Sequence, residues 1–121
     1  MYSSTLLDHF EHPRNSGELE QPDARVRIEN PACGDILELF AYIEQGRFTE
    51  IRFKAKGCVP AMACGSLMTQ LAGGKTLQQA MSITREDVTE QIGGLPAASG
   101  HAAVLATDAI RALVKGYTAA R

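Results

Sequence analysis

The hydrophobic pattern of the chain changes from the period of strands to that of helices near Pro60, and this change constrains the fold more than any other feature. Before Pro60, Val26 and Ile28 and residues 48–55 show the two-residue period of strands, and residues 36–43 form an apolar run of strand length. After Pro60, apolar residues recur every three or four positions, which is the period of a helix. Strands followed by helices predict an α+β domain.

Three antiparallel strands are predicted in the first half of the chain. Val26 and Ile28 alternate with charged neighbours, and residues 36–43 are apolar on both faces. A hairpin turn follows at Glu44-Gln45-Gly46-Arg47. The alternation of the third strand predicts one face with Thr49, Ile51, Phe53 and Ala55, and an opposite face with Phe48, Glu50, Arg52 and Lys54.

Two longer helices are predicted to frame the second half. One starts at Pro60, ends at Gly73-Gly74, and carries an apolar stripe of Ala61, Cys64, Met68 and Leu71. The other begins near His101, and its core-facing stripe is Leu105, Ala106, Ala109, Ile110, Leu113, Val114 and Tyr117. The expected architecture is a three-stranded antiparallel sheet with helices packed on one face.

Shorter helices are predicted from capping residues. Ser3 or Ser4 can cap a helix that runs through His9 and Glu11 and ends before Pro13. Two more short helices are expected from the pairs Thr76 with Gln79 and Thr84 with Asp87.

The composition is that of an ordinary soluble protein. The chain has 121 residues, of which 45% are hydrophobic and 21% charged, and its formal net charge is -2. Residues 1–121 are therefore expected to form a single domain. Scattered basic residues give no electrostatic reason to expect nucleic acid or a membrane as a partner. Three cysteines without a recognisable secretion segment predict a reducing, cytoplasmic location.

Strand lengths predict that three polar side chains meet at one edge of the sheet. Cys33-Gly34-Asp35 lies between the first two strands, and Gly34 frees the backbone so that both neighbours can turn the same way. The second strand leaves this edge for about ten residues and the third returns by about ten. Cys58 therefore lands beside Cys33 and Asp35. Thiolates and carboxylates bind zinc or iron, and thiolate-rich sites hold iron-sulfur clusters.

Two helix starts bear on the same site. Cys58 lies just before a helix, whose unpaired amides predict a thiol that ionises easily. His101 begins the last helix, where the dipole favours the neutral imidazole that a metal needs. The residues alone leave open whether this helix start reaches the edge with the cysteines or the opposite edge.

Plainer roles are open for each of these side chains. Asp35 could simply tighten a turn, and His101 could be a helix-start residue with no ligand role. Cys64 lies six residues from Cys58, about 120° round the helix, and is predicted to be a core residue, with an auxiliary thiol as the alternative. His9 and His12 are predicted to be solvated, with contact to a partner as the alternative.

Several stretches together resemble one family over essentially the whole chain. They are residues 8–15 (Asp-His-Phe-Glu-His-Pro-Arg-Asn), residues 31–35 (Pro-Ala-Cys-Gly-Asp), residues 53–58 (Phe-Lys-Ala-Lys-Gly-Cys), Leu95-Pro96, His101 and residues 105–110. In order and spacing they resemble the iron-sulfur cluster assembly scaffolds of the IscU/NifU type, which implies an IscU-like (SufE/NifU-type) fold.

The resemblance implies a scaffold or carrier rather than an enzyme. By this likeness Cys33, Asp35, Cys58 and His101 form the site on which a [2Fe-2S] cluster is built, and the site can hold Zn²⁺ when cluster-free. It implies that His101 reaches the site. The implied partners are a cysteine desulfurase as sulfur donor, an iron donor, and acceptor apo-proteins.

Two departures from the family pattern stand out. The family has a third cysteine directly after the histidine, where this chain has Ala102. The sulfur acceptor is then Cys33, Cys58 or Cys64, or the chain has left the standard pathway. The segment by which a DnaK-like chaperone holds some members is altered at residues 95–99, which read Leu-Pro-Ala-Ala-Ser, so that partnership is not expected.

Two other functions remain as alternatives. One is a regulatory or structural module that binds zinc or a single iron, because two thiolates, a carboxylate and an imidazole suit tetrahedral zinc. The other is a cysteine hydrolase with Cys58 as nucleophile, His101 as base and Asp35 to orient it, although this leaves Cys33 without a role.

Overall fold

The computed structural model describes residues 1–120. Their strands are β1 (Ala24–Glu29), β2 (Ile36–Glu44) and β3 (Arg47–Lys56), and their helices are α1 (Ser4–Glu11), α2 (Val59–Ala72), α3 (Leu77–Met81), α4 (Arg85–Gln91) and α5 (Gly100–Ala119), with a 3-10 turn at Ala97–Ser99. The sheet has the order β1-β2-β3, and both pairings are antiparallel. The predicted α+β architecture is confirmed.

The register of the β2–β3 hairpin determines where the following residues lie. Ile36, the first residue of β2, faces Lys56, the last residue of β3. The hairpin turn is tight because Gln45 and Gly46 both adopt left-handed φ angles, of 53° and 74°. As a result, residues just before Ile36 and just after Lys56 emerge side by side at one edge of the sheet.

The prediction that Phe48 lies on the same face of β3 as Glu50 was wrong, because β3 contains a β-bulge. The pairing shifts between Tyr42 and Ile43, so that Tyr42 faces Glu50 whereas Ile43 faces Phe48. Thr49 is therefore the extra residue of β3, and its hydroxyl donates a hydrogen bond to the Tyr42 carbonyl over 3.2 Å. Phe48 is consequently buried in the same core as Ile51, although simple alternation placed it on the opposite face with Glu50.

Helix α2 is more deeply buried than a single apolar stripe predicts. Ala61, Cys64 and Met68 are buried as expected, but so are the polar Ser66 and Thr69. A Cβ atom added to Gly65 would lie 2.9 Å from both Leu37 and Phe53, so the helix approaches the sheet closely at this residue. A helix that is buried almost all round is a central element of the domain rather than a surface layer.

The remaining helices follow their sequence signals. Ser3 caps α1 by accepting a hydrogen bond from the Leu6 amide. Thr76 and Thr84 each form a capping box at the start of α3 and α4. The predicted stripe of α5 is buried from Leu105 to Val114, and Tyr117 packs against the core while remaining partly exposed.

The outer face of the sheet is largely polar. Phe40 of β2 is nevertheless buried on this face: it is 1% exposed, and the Arg25 guanidinium lies 5.3 Å from its ring centroid. Both faces of β2 thus carry buried apolar residues, as its sequence predicted.

Candidate metal centre

The first part of the candidate centre is the turn between β1 and β2. The Asn30 amide donates to the Asp35 carbonyl over 2.8 Å, and the Gly34 amide donates to the Asn30 carbonyl over 2.7 Å. Gly34 has a φ of 77°, a value that side chains disfavour, so this turn depends on a glycine. Closing the turn in this way leaves Cys33 exposed and turns Asp35 inward, where it is 4% exposed.

The second part is the junction between β3 and α2. Gly57 has a φ of 144°, and a Cβ atom there would lie 2.6 Å from Cγ of Asp35. The absence of a side chain therefore lets the Asp35 carboxyl group lie directly against the backbone. The sequence reasoning gave Gly57 no role, although a glycine directly before a candidate ligand is a signal of close backbone approach.

Asp35 and Cys58 are joined by two hydrogen bonds. The Cys58 amide donates to Oδ1 over 3.1 Å, and the Cys58 thiol donates to Oδ2 over 3.1 Å. Burial of Asp35 acts to raise its pKa, but these bonds, a further one from the Cys33 thiol, and the nearby His101 outweigh that effect and lower the pKa. Asp35 is thus an ionised, inward-facing carboxylate.

His101 completes the group from the first turn of α5. Its Nε2 atom lies 3.4 Å from Asp35 Oδ2 and 3.7 Å from Cys58 Sγ. Ligand atoms of Cys33, Asp35 and His101 all lie within 4.8 Å of one another. The start of α5 therefore reaches the edge of the sheet that carries the cysteines, which the residues alone had left open.

The electrostatic prediction for Cys58 was wrong. Cys58 is the N-cap residue of α2, as expected, and the nearby Ala61 amide does act to lower its pKa. Burial and the hydrogen bond to Asp35 act in the opposite direction and are the stronger effects, so the pKa of the Cys58 thiol is raised. In the metal-free protein Cys58 is a protonated hydrogen-bond donor rather than an activated thiolate.

The third thiol and the residue after His101 are both in the core. Cys64 is 0% exposed, and burial raises the pKa of its thiol to about 12. Ala102 is 1% exposed and packs in the same hydrophobic cluster. The core position predicted for Cys64 is therefore confirmed, and Ala102 brings no heteroatom to the site.

The prediction that His9 is solvated was wrong. His9 is 4% exposed, and its Nδ1 atom is hydrogen-bonded to the Ser66 hydroxyl of α2 over 2.8 Å. The Arg14 amide donates to the same hydroxyl over 2.9 Å. Burial, followed by the charge of Arg14, lowers the pKa of His9. His9 therefore links α1 to α2 through a hydrogen bond. His12 is exposed, as predicted.

The four side chains offer two sulfur donors, one carboxylate and one imidazole nitrogen. This set suits zinc, and it also suits iron in the presence of sulfide. The exposed Cys33 and the His101 side chain, which is 33% exposed, leave the centre open on one side to solvent. The centre is therefore accessible from solvent. No helix within residues 1–120 is long and apolar enough to span a bilayer.

Solved structures with the same fold include a NifU-like protein and a SufU protein. An N-terminal NifU-like protein from Brucella abortus has a TM-score of 0.78 at 18% identity, over 98% of this chain and 95% of that one. A SufU protein from Fervidobacterium islandicum has a TM-score of 0.79 at 17% identity, over 93% of this chain and 96% of that one. At these identities the likeness concerns the fold alone.

Sequence relatives are closer. An IscU iron-sulfur cluster assembly scaffold protein of Archaeoglobus fulgidus is 40% identical, over 97% of this chain and 76% of that protein. The IscU of Azotobacter vinelandii is 40% identical over 96% of this chain and 93% of its own length. The IscU of Escherichia coli K12 is 37% identical over 99% of this chain and 96% of its own length. A family model described as the NifU-like N terminal domain matches residues 1–121. The chain therefore belongs to the NifU-like N-terminal domain family.

Proposed function

We propose that this chain, acting as a single domain over residues 1–121, is a scaffold on which a [2Fe-2S] cluster is assembled and from which it passes to acceptor proteins. The observation that carries the proposal is the meeting of Cys33, Asp35, Cys58 and His101 at one edge of the sheet. Its relatives in Archaeoglobus fulgidus and Escherichia coli, named as cluster assembly scaffolds, support the same function.

The set of donor atoms fits a cluster that is bound temporarily and then transferred. Iron-sulfur clusters are most often held by four thiolates. Here a carboxylate and an imidazole replace two of them, and both bind iron less tightly than thiolate does. Because the site is also open on one side, the ligands favour a cluster that can leave. The protein then acts as a carrier rather than as an enzyme.

A carrier of this kind needs partners that supply the components of the cluster and partners that accept the finished cluster. A cysteine desulfurase would supply sulfur, an iron donor would supply iron, and apo-proteins would accept the cluster, in a cytoplasm where thiols remain reduced. A DnaK-like chaperone is not expected to hold residues 95–99. Residues 97–99 form a 3-10 turn rather than an extended segment.

Anaerobic reconstitution tests the proposal. Metal-free protein would be mixed with ferrous iron and inorganic sulfide, and absorption spectra and bound iron would be measured. We expect sulfide-to-iron charge-transfer absorption and about two irons per monomer or dimer. Failure to bind iron and sulfide under any anaerobic condition would overturn the proposal.

Matched cysteine variants locate the cluster. Cys58→Ala and Cys33→Ala are expected to lose most of the bound iron, since each removes a thiolate from the site. Cys64→Ala removes a thiol that is 0% exposed and is expected to retain the spectrum. Equal loss in all three variants would indicate a folding defect or a different site.

A zinc site is the second candidate function. Two observations favour it: the four donors suit tetrahedral zinc, and Ala102 supplies no third thiol. Metal analysis of protein purified without oxygen distinguishes the two functions. Stoichiometric zinc that iron and sulfide do not displace would favour a zinc-binding regulatory or structural module.

A further inference from the structure

We propose that Asn30 is a positioning residue of the candidate metal centre, and that its side chain sets how long a bound metal is retained. This inference rests on the scaffold function proposed above, since a carrier must hold its cluster until an acceptor takes it. Asn30 is not one of the candidate ligands. It acts through Cys33, which it holds in place.

Cys33 is the candidate ligand with the least support of its own. Asp35 is 4% exposed and is hydrogen-bonded to Cys58, which is the N-cap residue of α2, and His101 belongs to α5. Cys33, in contrast, is exposed and lies in neither a helix nor a strand. Its position at the centre therefore depends on the turn between β1 and β2.

Asn30 anchors the chain on both sides of Cys33. Its side-chain Oδ1 accepts a hydrogen bond from the Ala32 amide over 3.0 Å. Its carbonyl accepts a bond from the Gly34 amide over 2.7 Å, and its own amide donates to the Asp35 carbonyl over 2.8 Å. Cys33 thus lies between two amides that are both bound to the same residue.

Only one of these three bonds depends on the identity of residue 30. Any residue other than proline has the backbone amide and carbonyl, but asparagine adds a side-chain oxygen that reaches the amide two positions further on. Pro31 has no amide hydrogen, so the Ala32 amide is the first donor of the turn. The Asn30 side chain is therefore what ties the segment before Cys33 to the end of β1.

The surroundings of Asn30 separate a positioning role from a purely structural one. Asn30 lines the same cleft as His101, which places it beside the centre. Its bond to Ala32 is exposed to solvent, and water replaces an exposed hydrogen bond at little cost in stability. Loss of this bond should therefore loosen Cys33 while the domain keeps most of its stability.

The rate of cobalt release tests the proposal. Full-length, metal-free protein would be loaded with Co²⁺ without oxygen, and the thiolate-to-cobalt absorption would be followed after addition of excess EDTA. We expect Asn30→Ala to release cobalt about tenfold faster than the unaltered chain, as is typical when a residue that orients a ligand is removed. Asn30→Asp keeps an acceptor oxygen in the same place and should restore slow release.

Two results of this measurement would overturn the proposal. One is release from Asn30→Ala at the rate of the unaltered chain. The other is release from Asn30→Asp as fast as from Asn30→Ala, because the acceptor oxygen would then have no effect.

Thr76→Ala is the matched control. Thr76 Oγ1 accepts a bond of the same length, 3.0 Å, from the Gln79 amide, and this bond is also exposed. It lies at the opposite edge of the sheet, where the Leu77 amide donates to the Gly46 carbonyl. Urea unfolding should show that Thr76→Ala loses at least as much stability as Asn30→Ala, yet its cobalt release should be unchanged. Faster release from Thr76→Ala, or a larger loss of stability in Asn30→Ala, would mean that Asn30 has only a structural role.

Iron and sulfide separate this inference from the scaffold function. The cluster would be reconstituted in the unaltered chain and in Asn30→Ala, and its loss to EDTA would be followed by absorption. A cluster that leaves both proteins at the same rate would overturn the role of Asn30 alone. Cobalt release that depends on Asn30, in a protein that forms no cluster, would overturn the scaffold function alone. A chain that binds neither cobalt nor a cluster would overturn both.

Discussion

Cys58 and Asp35 are held together by two hydrogen bonds, one from the Cys58 amide and one from its thiol, each 3.1 Å long. One carboxylate therefore fixes both the start of α2 and the orientation of a candidate ligand. In the metal-free protein the thiol remains protonated because it donates to an anion in a partly buried site. Binding of a metal at Cys58 must release that proton.

The variant Asp35→Asn is expected to lower the pKa of Cys58. Burial is the largest cause of the raised pKa and remains, but the loss of the anionic acceptor removes the second cause. The rate at which iodoacetamide alkylates Cys58 in metal-free protein should therefore rise at a lower pH than in the unaltered chain. Peptide-resolved mass spectrometry measures this rate, and an inflection at unchanged or higher pH would contradict the prediction.

Gly57→Ala is expected to disrupt the site more than the fold. The new Cβ atom would lie 2.6 Å from Cγ of Asp35 and would push the carboxyl group away from Cys58. Backbone strain at a positive φ costs about 1–3 kcal/mol. Bound zinc or iron should fall at least tenfold, as measured by metal analysis after dialysis.

Gly74→Ala is the matched control for that variant. Gly74 also has a positive φ, of 78°, but a Cβ atom there would have nothing within 4 Å. It should show a comparable loss of stability with metal binding retained. Equal metal binding by both variants would mean that contact between Gly57 and Asp35 does not shape the site.

Gly65→Ala and Gly116→Ala are expected to change stability in opposite directions. At Gly65 the added methyl group would lie 2.9 Å from Leu37 and Phe53, and such overpacking costs about 1–3 kcal/mol. At the exposed Gly116 of α5 there is nothing within 4 Å, so alanine should add about 0.5 kcal/mol through helix propensity. Urea unfolding measures both, and a stabilised Gly65→Ala would show that α2 is not closely packed on the sheet.

Acid should destabilise the protein through His9. Burial holds the pKa of His9 below 6.5, whereas the unfolded chain has a pKa of about 6.5. Between these two values the unfolded state binds more protons. The stability that neutral His9 contributes is therefore complete above about pH 6.5 and is lost as the pH falls through the folded pKa.

His9→Gln provides the comparison for this effect. The free energy of unfolding would be measured by urea titration from about pH 8 to pH 5 in both proteins. The variant should be less stable at the upper end but should lose less stability on acidification. His12 and His101 are present in both proteins, so the difference reports His9. Parallel pH profiles would contradict the assignment.

Local signals predicted most of the fold. The caps at Ser3, Thr76 and Thr84 and the Gly46 turn were readable because each depends on residues a few positions apart. The hairpin then placed Asp35 beside Cys58, since two antiparallel strands of similar length return to their starting edge. The bulge at Thr49 escaped prediction because alternation counts residues evenly along a strand.

The burial of individual polar side chains was not predictable from pattern. The thiol of Cys58 was expected to ionise easily because it precedes a helix, but burial, followed by its hydrogen bond to Asp35, raises its pKa. His9 was expected in solvent because its partner, Ser66, is 57 positions further along the chain. In both cases the helix position of the residue was predicted correctly, but its burial in the folded protein was not.

The candidate ligands come from three separate parts of the chain. Cys58 is 23 residues from Asp35, and His101 is 43 residues from Cys58. A metal or cluster bound to all of them would act as a removable cross-link that closes both loops. Its presence would raise the melting temperature, and its departure would lower the melting temperature again. Delivery of the cluster and loss of this added stability would then be a single event.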